Sequence, residues 1–219
     1  MCGLAGFVGS DPESQHALVM RMAEVLRHRG PDFQMARQHP MASVGFNRLA
    51  INGLSPAGNP PFEHDGVFVY CNGEIYNHVE LKKKFQLEDS CRSGCDIEVI
   101  PHLYRKLGWR FLELLNGMFT LVLIDERHQS VHLVTDRLGK KPIYLKRTSE
   151  GLFFASELKS FLLNFDCTID RKHLNDGFFL GFQPYPLTNV EGIEKLAPGM
   201  RIEISPTGVS RHSWYVLRP

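Results

Sequence analysis

A cysteine at position 2 directly follows the initiator methionine, at the start of the run MCGLAGFVG. Once the methionine is removed, such a residue carries a thiol and a free α-amine together. The amine has an ordinary pKa near ~8, so at neutral pH it can take the proton of the thiol, directly or through a water. Nucleophile and general base then come from one residue. A lipid-attachment site, or no chemical role at all, is the alternative for an isolated Cys2.

A polar tripeptide, Asn72-Gly73-Glu74, comes directly after a predicted strand over residues 66–71. An Asn side-chain amide and a Gly backbone N–H that point at one position can stabilise the oxyanion of a tetrahedral intermediate. Glycine also allows a close approach of the backbone. The alternative is an ordinary Asn-Gly turn followed by a solvated glutamate.

Two further charged residues, Arg48 and Asp96, stand at informative positions: Arg48 in the strand-like segment 43–51, and Asp96 at the start of a predicted helix. A guanidinium binds an α-carboxylate through two hydrogen bonds, and Asp96 and Glu74 could hold an α-ammonium. An amino-acid substrate carries an α-carboxylate and an α-ammonium, so its site needs a partner for each. The alternatives are a surface arginine packed on its neighbours and an aspartate that caps a helix.

Hydrophobic periodicity indicates the elements that must position these residues. Strands are predicted at 3–9, 43–51, 66–71 and 199–205, and as two hairpins, 118–125 with 130–136 and 142–147 with 152–156. Helices are predicted after the Asp11-Pro12 pair, at 77–85, at 96–107 and near Asp170. Strands joined mostly by hairpins, with helices grouped between them, predict two antiparallel sheets covered by helices.

The composition is that of a globular chain with a substantial core, 43% hydrophobic and 22% charged. A formal net charge of +1 gives no electrostatic reason to expect nucleic acid or an anionic membrane as partner. The apolar runs are far shorter than a membrane span, and no signal peptide is recognisable at the N-terminus. We therefore expect a cytoplasmic protein, and the five cysteines, an odd number, favour a reduced compartment.

A metal site is the main competing interpretation of the cysteines. The candidate soft ligands are Cys71, His78, Cys91, Cys95 and His102. Structural zinc sites usually show two close ligand pairs, and here the second pair is missing. We therefore expect neither a metal nor a cofactor.

Eight blocks along the chain form a collinear set. They are MCGLAGFVG (1–9), RHRGPD (27–32), FNRLAI (46–51), NGEIYNH (72–78), SGCDIEVI (93–100), LNGMFTLVLID (115–125), DRLGKKPIYL (136–145) and FASELKS (154–160). In content and order they resemble the class II glutamine amidotransferase domains of asparagine-synthetase-like enzymes, which are N-terminal-nucleophile hydrolases. The resemblance implies an α+β fold, a four-layer αββα sandwich with two antiparallel sheets, forming one type-2 amidotransferase domain over residues 1–219.

The resemblance also implies a reaction. Cys2 would attack the side-chain amide of L-glutamine with its own amine as general base, and Asn72 and Gly73 would form the oxyanion hole. A γ-glutamyl thioester would then be hydrolysed, so that the products are L-glutamate and ammonia.

Substrate binding is assigned by the same matching of positions. Arg48 would bind the α-carboxylate of glutamine, with the backbone of Ile51 nearby, while Glu74 and Asp96 would bind the α-ammonium.

Four other residues of the matching blocks are relevant to the site. Arg29 and Asp32 would support its mouth without a chemical step. Asn47 and Cys95 depart from the residues that the family usually has at these positions, which bears on the geometry of the site and not on the reaction.

Asparagine-synthetase-like enzymes also contain an ATP-pyrophosphatase domain with a Ser-Gly-Gly-x-Asp-Ser phosphate loop, and residues 1–219 contain no such run. The expected partner is therefore an ATP-dependent synthetase domain or subunit that receives the ammonia. The alternative is a non-catalytic, glutamine-binding regulatory or scaffold subunit of such a synthetase.

Overall fold

The structure, a computed structural model, describes residues 1–217. The strands are β1 Gly3–Gly9, β2 Phe33–His39, β3 Ala42–Arg48, β4 Phe62–His64, β5 Val67–Ile75, β6 Gly117–Asp125, β7 Ser130–Thr135, β8 Tyr144–Arg147, β9 Gly151–Ala155, β10 Ile193–Lys195, β11 Met200–Ser205 and β12 Gly208–Ser213. The α-helices are α1 His16–Glu24, α2 His78–Phe85, α3 Val99–Leu107, α4 Phe111–Leu114, α5 Lys159–Leu162 and α6 Arg171–Leu180.

The strands form two six-stranded sheets, with the orders β10-β8-β9-β1-β3-β2 and β12-β11-β7-β6-β5-β4. Every pairing within them is antiparallel. In the first sheet β1 pairs with β3 from Gly3 opposite Asn47 and with β9 from Ala5 opposite Ala155. The residue before β1 therefore lies next to the end of β3.

Successive side chains along β1 and β5 point to opposite faces of their sheets, and this alternation creates three apolar layers. Leu4 of β1 and Tyr70 of β5 belong to the core between the sheets. Phe7 packs outward against α1, whereas Val69 packs outward against α3 and its neighbours. Helices thus cover both outer faces, and the predicted four-layer αββα sandwich is confirmed.

Most predicted elements are present, including both hairpins, β11 and the helices at 78–85, 99–107 and 171–180. The helix predicted after Asp11-Pro12 begins only at His16, since Asp11 accepts a hydrogen bond from the Ser14 N–H within a preceding turn. Residues 96–98 form a 3-10 turn before α3.

One prediction about the polar tripeptide is wrong. Asn72, Gly73 and Glu74 do not follow β5 but form part of it, because β6 pairs with this strand as far as Ile75. Asn72 lies opposite Thr120, and Gly73 lies opposite Phe119. The alternative of a solvated Asn-Gly turn is therefore excluded.

No helix within residues 1–217 has both the length and the apolar character needed to cross a membrane.

Candidate active site

All seven predicted site residues line one cavity at the end of the sandwich where β1 begins and where β3 and β5 end. They are Cys2, Arg48, Ile51, Asn72, Gly73, Glu74 and Asp96. The cavity holds about 100 Å³, several times the space that one water requires, and it can therefore take a small polar molecule.

The Cys2 thiol is half-buried against the residue that follows β3. The backbone N–H of Leu49 lies 3.4 Å from the Cys2 Sγ, and the Leu49 carbonyl oxygen lies 3.8 Å from the same sulfur. Burial raises the pKa of Cys2, while the Leu49 backbone and the nearby positive charges of the N-terminal amine, Arg48 and Arg29 reduce the shift. The thiol is therefore neutral at physiological pH and needs a base.

The backbone of Cys2 is held by Arg29. The Arg29 Nε donates to the Cys2 carbonyl oxygen over 2.9 Å, and its Nη1 donates to Glu157 over 2.7 Å. Glu157 also contacts His28 and Lys159. Asp32 accepts a hydrogen bond from the Ala50 N–H over 2.7 Å and so restrains the segment after β3. Arg29 and Asp32 thus lie where a supporting role requires them.

Arg48 is a buried residue, only 6% exposed, so the alternative of a surface arginine is excluded. Its guanidinium donates to the Asn59 side chain over 2.8 Å and to the carbonyl oxygens of Asn52 and Gly53 over 2.8 and 2.6 Å. All three acceptors belong to the loop between β3 and β4, which fixes the guanidinium at the cavity wall.

Asp96 and Glu74 face the same side of the cavity. Asp96 Oδ2 accepts the Ile75 N–H over 2.6 Å, and no side chain caps the helical turn at this point, so Asp96 is not a helix cap. The Asn52 Nδ2 lies 3.3 Å from Glu74 Oε1 and 3.5 Å from Asp96 Oδ1. The two carboxylates converge on one point, as the recognition of an ammonium group requires.

Asn72 points between the sheets and is 1% exposed. Neither its Nδ2 nor its Oδ1 has a hydrogen-bond partner among residues 1–217. An unsatisfied buried amide costs roughly 1–3 kcal/mol, and this one stands in the cavity wall, where a polar group of a ligand could reach it. Beside it, a Cβ on Gly73 would lie 2.2 Å from the Met118 carbonyl oxygen, and only glycine fits.

Three more residues lie in different surroundings: Ile51, and the two residues that depart from the family pattern, Asn47 and Cys95. The Ile51 side chain is 64% exposed and lies at the cavity mouth. The Asn47 amide donates to the Ala23 carbonyl oxygen under α1, away from the cavity. The Cys95 thiol lines the cavity and lies 3.6 Å from Asp96 Oδ1.

Lys141 is a cavity residue that sequence reasoning missed, although it lies within the block DRLGKKPIYL. It is 6% exposed. The buried Asp136 carboxylate accepts hydrogen bonds from the backbone N–H groups of Phe119, Leu138, Lys140 and Lys141 and thereby shapes the loop. Asn52, Leu49 and Glu157 were also missed as members of the site.

The α-amine of Met1 lies close to Cys2, Arg29 and Lys141. Burial lowers its pKa; the Cys2 thiolate opposes the shift, and the charges of Arg29 and Lys141 add to it. The Met1 amine is therefore more readily unprotonated than an amine in water.

The cysteines of the metal interpretation are buried thiols. Burial raises the pKa of Cys91 to about 11 and that of Cys95 to about 12. In the part of the chain that the structure describes, no group of three or more His, Cys, Asp or Glu side chains is arranged to hold a metal ion.

Two antiparallel sheets between helical layers, with a thiol immediately before a central strand, define the N-terminal-nucleophile hydrolase fold. Comparison with known proteins agrees: residues 1–215 match the glutamine amidotransferase domain family. The chain belongs to that family, and the resemblance inferred from the sequence blocks is confirmed.

Curated relatives include plant asparagine synthetases. Asparagine synthetase [glutamine-hydrolyzing] 2 of Lotus japonicus is 37% identical over 171 residues, which cover 76% of this chain and 29% of the relative. The Asparagus officinalis enzyme is 36% identical, with coverage of 76% and 28%. The chain therefore matches less than a third of the length of these relatives.

Solved structures share the fold at low sequence identity. Glutamine phosphoribosylpyrophosphate amidotransferase from B. subtilis superposes with a TM-score of 0.68 at 14% identity, over 99% of this chain and 50% of that one. A glutamine aminotransferase class-II domain protein from Silicibacter pomeroyi gives 0.52 at 12% identity, over 99% and 100% of the two chains.

Proposed function

We propose that this chain hydrolyses the side-chain amide of L-glutamine to L-glutamate and ammonia through a thioester on Cys2. The observation that carries the proposal is the buried, unpartnered amide of Asn72 in the wall of the cavity that Cys2 also lines. A tetrahedral oxyanion supplies the acceptor that the Asn72 Nδ2 lacks.

Substrate binding uses the two ends of the cavity. Arg48 takes the α-carboxylate, with the Ile51 backbone beside it, while Glu74 and Asp96 take the α-ammonium. Binding at both charged groups fixes the head group, so that the side-chain amide of glutamine extends toward Cys2.

The chemistry then follows in two stages. The α-amine of Cys2, free after removal of Met1, takes the thiol proton, and the sulfur attacks the amide carbon while Asn72 and Gly73 stabilise the oxyanion. The C–N bond breaks as the amine returns the proton to the departing nitrogen, which leaves as ammonia. Water, activated by the same amine, attacks the thioester, so that glutamate is released and the thiol is restored.

A separate or covalently attached ATP-dependent synthetase is the proposed receiver of the ammonia. The support is that the relatives named asparagine synthetases extend well beyond the region that this chain matches. Ammonia release should be measured with and without candidate synthetases, and equal release into bulk solvent in every case would argue against coupling.

The decisive experiment is intact-protein mass spectrometry after exposure to 6-diazo-5-oxo-L-norleucine, an electrophilic glutamine analogue. We expect a chain without Met1 that carries one adduct on Cys2, and steady ammonia release from glutamine by the untreated protein. Cys167→Ala, which removes a half-buried thiol outside the cavity, is the matched control and should label normally. Labelling that survives Cys2→Ala contradicts the assignment. Glutamine binding without ammonia release would favour the regulatory subunit instead.

A further inference from the structure

Asn52 contacts three charged residues of the cavity, Arg48, Glu74 and Asp96. Its backbone carbonyl oxygen accepts the Arg48 Nη2 over 2.8 Å. Its side-chain Nδ2 lies 3.3 Å from Glu74 Oε1 and 3.5 Å from Asp96 Oδ1. One residue therefore connects the cationic end of the cavity with its anionic end.

The carboxylates of Glu74 and Asp96 need a shared hydrogen-bond donor to stay close together. Two carboxylates that share a site repel each other, and the repulsion favours rotation of one of them away from the other. An amide NH₂ has two donor hydrogens, so Asn52 can donate one to Glu74 and one to Asp96 and hold both acceptors toward the same point.

The loop itself is held firmly, so the Asn52 side chain is presented from a fixed backbone. Gly53 has a φ of +61°, and a Cβ there would lie 2.9 Å from the backbone nitrogen of Cys95, the residue before Asp96. The Gly53 carbonyl oxygen accepts a second hydrogen bond from Arg48 over 2.6 Å. The segment is thus anchored to Arg48 on one side and to the Asp96 turn on the other.

An α-ammonium can join this arrangement without displacing the amide. Each ionised carboxylate has about four lone-pair sites, whereas an ammonium brings three donors. The distances from the Asn52 Nδ2 are at or beyond the long end of the normal range, so stronger and shorter bonds to an ammonium remain available.

We propose that Asn52 is a positioning residue that makes the site specific for an α-amino acid. Its amide sets the spacing of the two carboxylates that bind the α-ammonium, and its carbonyl oxygen orients the guanidinium that binds the α-carboxylate. The inference rests on the proposed function and concerns recognition of the head group, not cleavage of the amide.

The test compares L-glutamine with glutaramic acid, which is glutamine without the α-amine. Asn52→Leu keeps the branched side-chain skeleton and the backbone carbonyl oxygen but removes both donors. We expect KM for L-glutamine to rise about tenfold, equivalent to roughly 1.4 kcal/mol, with kcat within about twofold of the parent. For glutaramic acid kcat/KM should be unchanged, because the carboxylates have no ammonium to bind.

Three outcomes overturn the proposal: an unchanged KM for L-glutamine, a lower KM, which would mean that the amide competes with the ammonium, or equal losses with both substrates. In a Glu74→Gln background the effect of Asn52→Leu should shrink, since one of its two acceptors is gone. Asn164→Ala, which removes an amide that bonds the Ser160 carbonyl oxygen outside the cavity, is the control and should leave kinetics unchanged.

A binding measurement separates this inference from the proposed hydrolysis. In Cys2→Ala protein, calorimetry with L-glutamine should show about a tenfold weaker Kd when Asn52→Leu is added. An unchanged Kd overturns the role of Asn52 alone, whereas binding without any ammonia release by the parent protein overturns hydrolysis alone. If Asn52→Leu melts at a lower temperature than the parent, Asn52→Ala gives the same comparison without the apolar branch.

Discussion

The backbone N–H of Leu49 lies 3.4 Å from the Cys2 sulfur and is directed at it as a hydrogen-bond donor. The two residues meet because β1 and β3 pair from Gly3 opposite Asn47, so the chain ends of these strands are adjacent. The N–H favours the thiolate and burial opposes it, with the net result that the pKa of Cys2 is raised. The sulfur is thus held at the end of β3 as a neutral thiol at physiological pH.

The raised pKa of Cys2 predicts slow alkylation at neutral pH in protein that keeps Met1 through an N-terminal extension. A higher pKa moves thiolate formation to higher pH, so the rate with iodoacetamide should climb about tenfold per pH unit up to that pKa. Protein with a free Cys2 amine should react faster at pH 7. A reaction rate of the extended protein that is already constant below pH 8 would contradict this.

Asn72→Leu should make the protein more stable and less active. Leucine has the same branched side-chain skeleton, the cavity beside it has room for the bulkier methyl groups, and the change removes an amide that is buried without a partner, so the free energy of unfolding should rise by about 1 kcal/mol. Loss of an oxyanion donor should lower kcat by about 10²–10³, with KM little changed. Urea unfolding and ammonia release measure the two effects; a stability loss, or a kcat within threefold of the parent, would show that Asn72 is a structural residue.

Arg48→Met should act mainly on binding. Under the proposed function the guanidinium binds the α-carboxylate equally in ground state and transition state, so its loss should raise KM for L-glutamine by at least about tenfold and lower kcat much less. Steady-state kinetics at several glutamine concentrations separate the two parameters. A larger change in kcat than in KM would contradict the assigned role.

Gly73→Ala should destabilise the protein by about 3 kcal/mol or more, because the new Cβ would meet the Met118 carbonyl oxygen at 2.2 Å and the Phe119 Cα at 2.6 Å. Gly181→Ala, at the end of α6, is a control in open space: its backbone is left-handed helical, with a φ of +75°, and no heavy atom lies within 4 Å. The control should lose only about 1–2 kcal/mol, from backbone strain. Equal losses would show that close packing of β5 on β6 does not explain the glycine.

The contacts of Glu157 predict that the free energy of unfolding decreases at acidic pH. Burial raises its pKa, but the hydrogen bonds from Arg29 and His28 outweigh burial, so the pKa of Glu157 is lowered. A lowered pKa stabilises the fold fully above the ordinary value of 4.5, and the contribution disappears as pH falls through the folded-state value.

Glu157→Gln should therefore lower the free energy of unfolding by about 1.5 kcal/mol at pH 7, and by less at pH 3 than at pH 7. Urea unfolding at both pH values measures the difference. A constant difference across this range would mean that the charge of Glu157 is irrelevant to the Arg29 contact.

Sequence reasoning named seven candidate residues that the structure brings together in one cavity, because each belongs to a block with a strong local signal. It placed Asn72 and Gly73 beyond their strand, since both residue types are rare in strands, yet pairing with β6 overrides that preference. It also missed β12, whose six residues are all exposed and lack the apolar alternation that indicates a strand.

The missed members of the site have a different cause. Asn52 contacts Glu74 and Asp96, and Glu157 contacts Arg29, across separations of 22, 44 and 128 residues. Such contacts exist only after the two sheets have packed, and no local sequence pattern predicts them. Lys141 reaches the cavity because the Asp136 carboxylate organises the loop between β7 and β8.

The central position of β1 has a consequence for synthesis of the chain. The segment after Cys2 pairs with β3 and β9, the Leu4 N–H donates to the Ser156 Oγ over 3.0 Å, and Arg29, which holds the Cys2 carbonyl, is itself held by Glu157. A nascent chain thus exposes Cys2 early in synthesis, but the contacts that hold Cys2 in place can form only after residue 157 has emerged. Under the proposed function, glutamine is left intact by copies that have not reached this length, and ammonia production begins only after residues 1–157 have folded together.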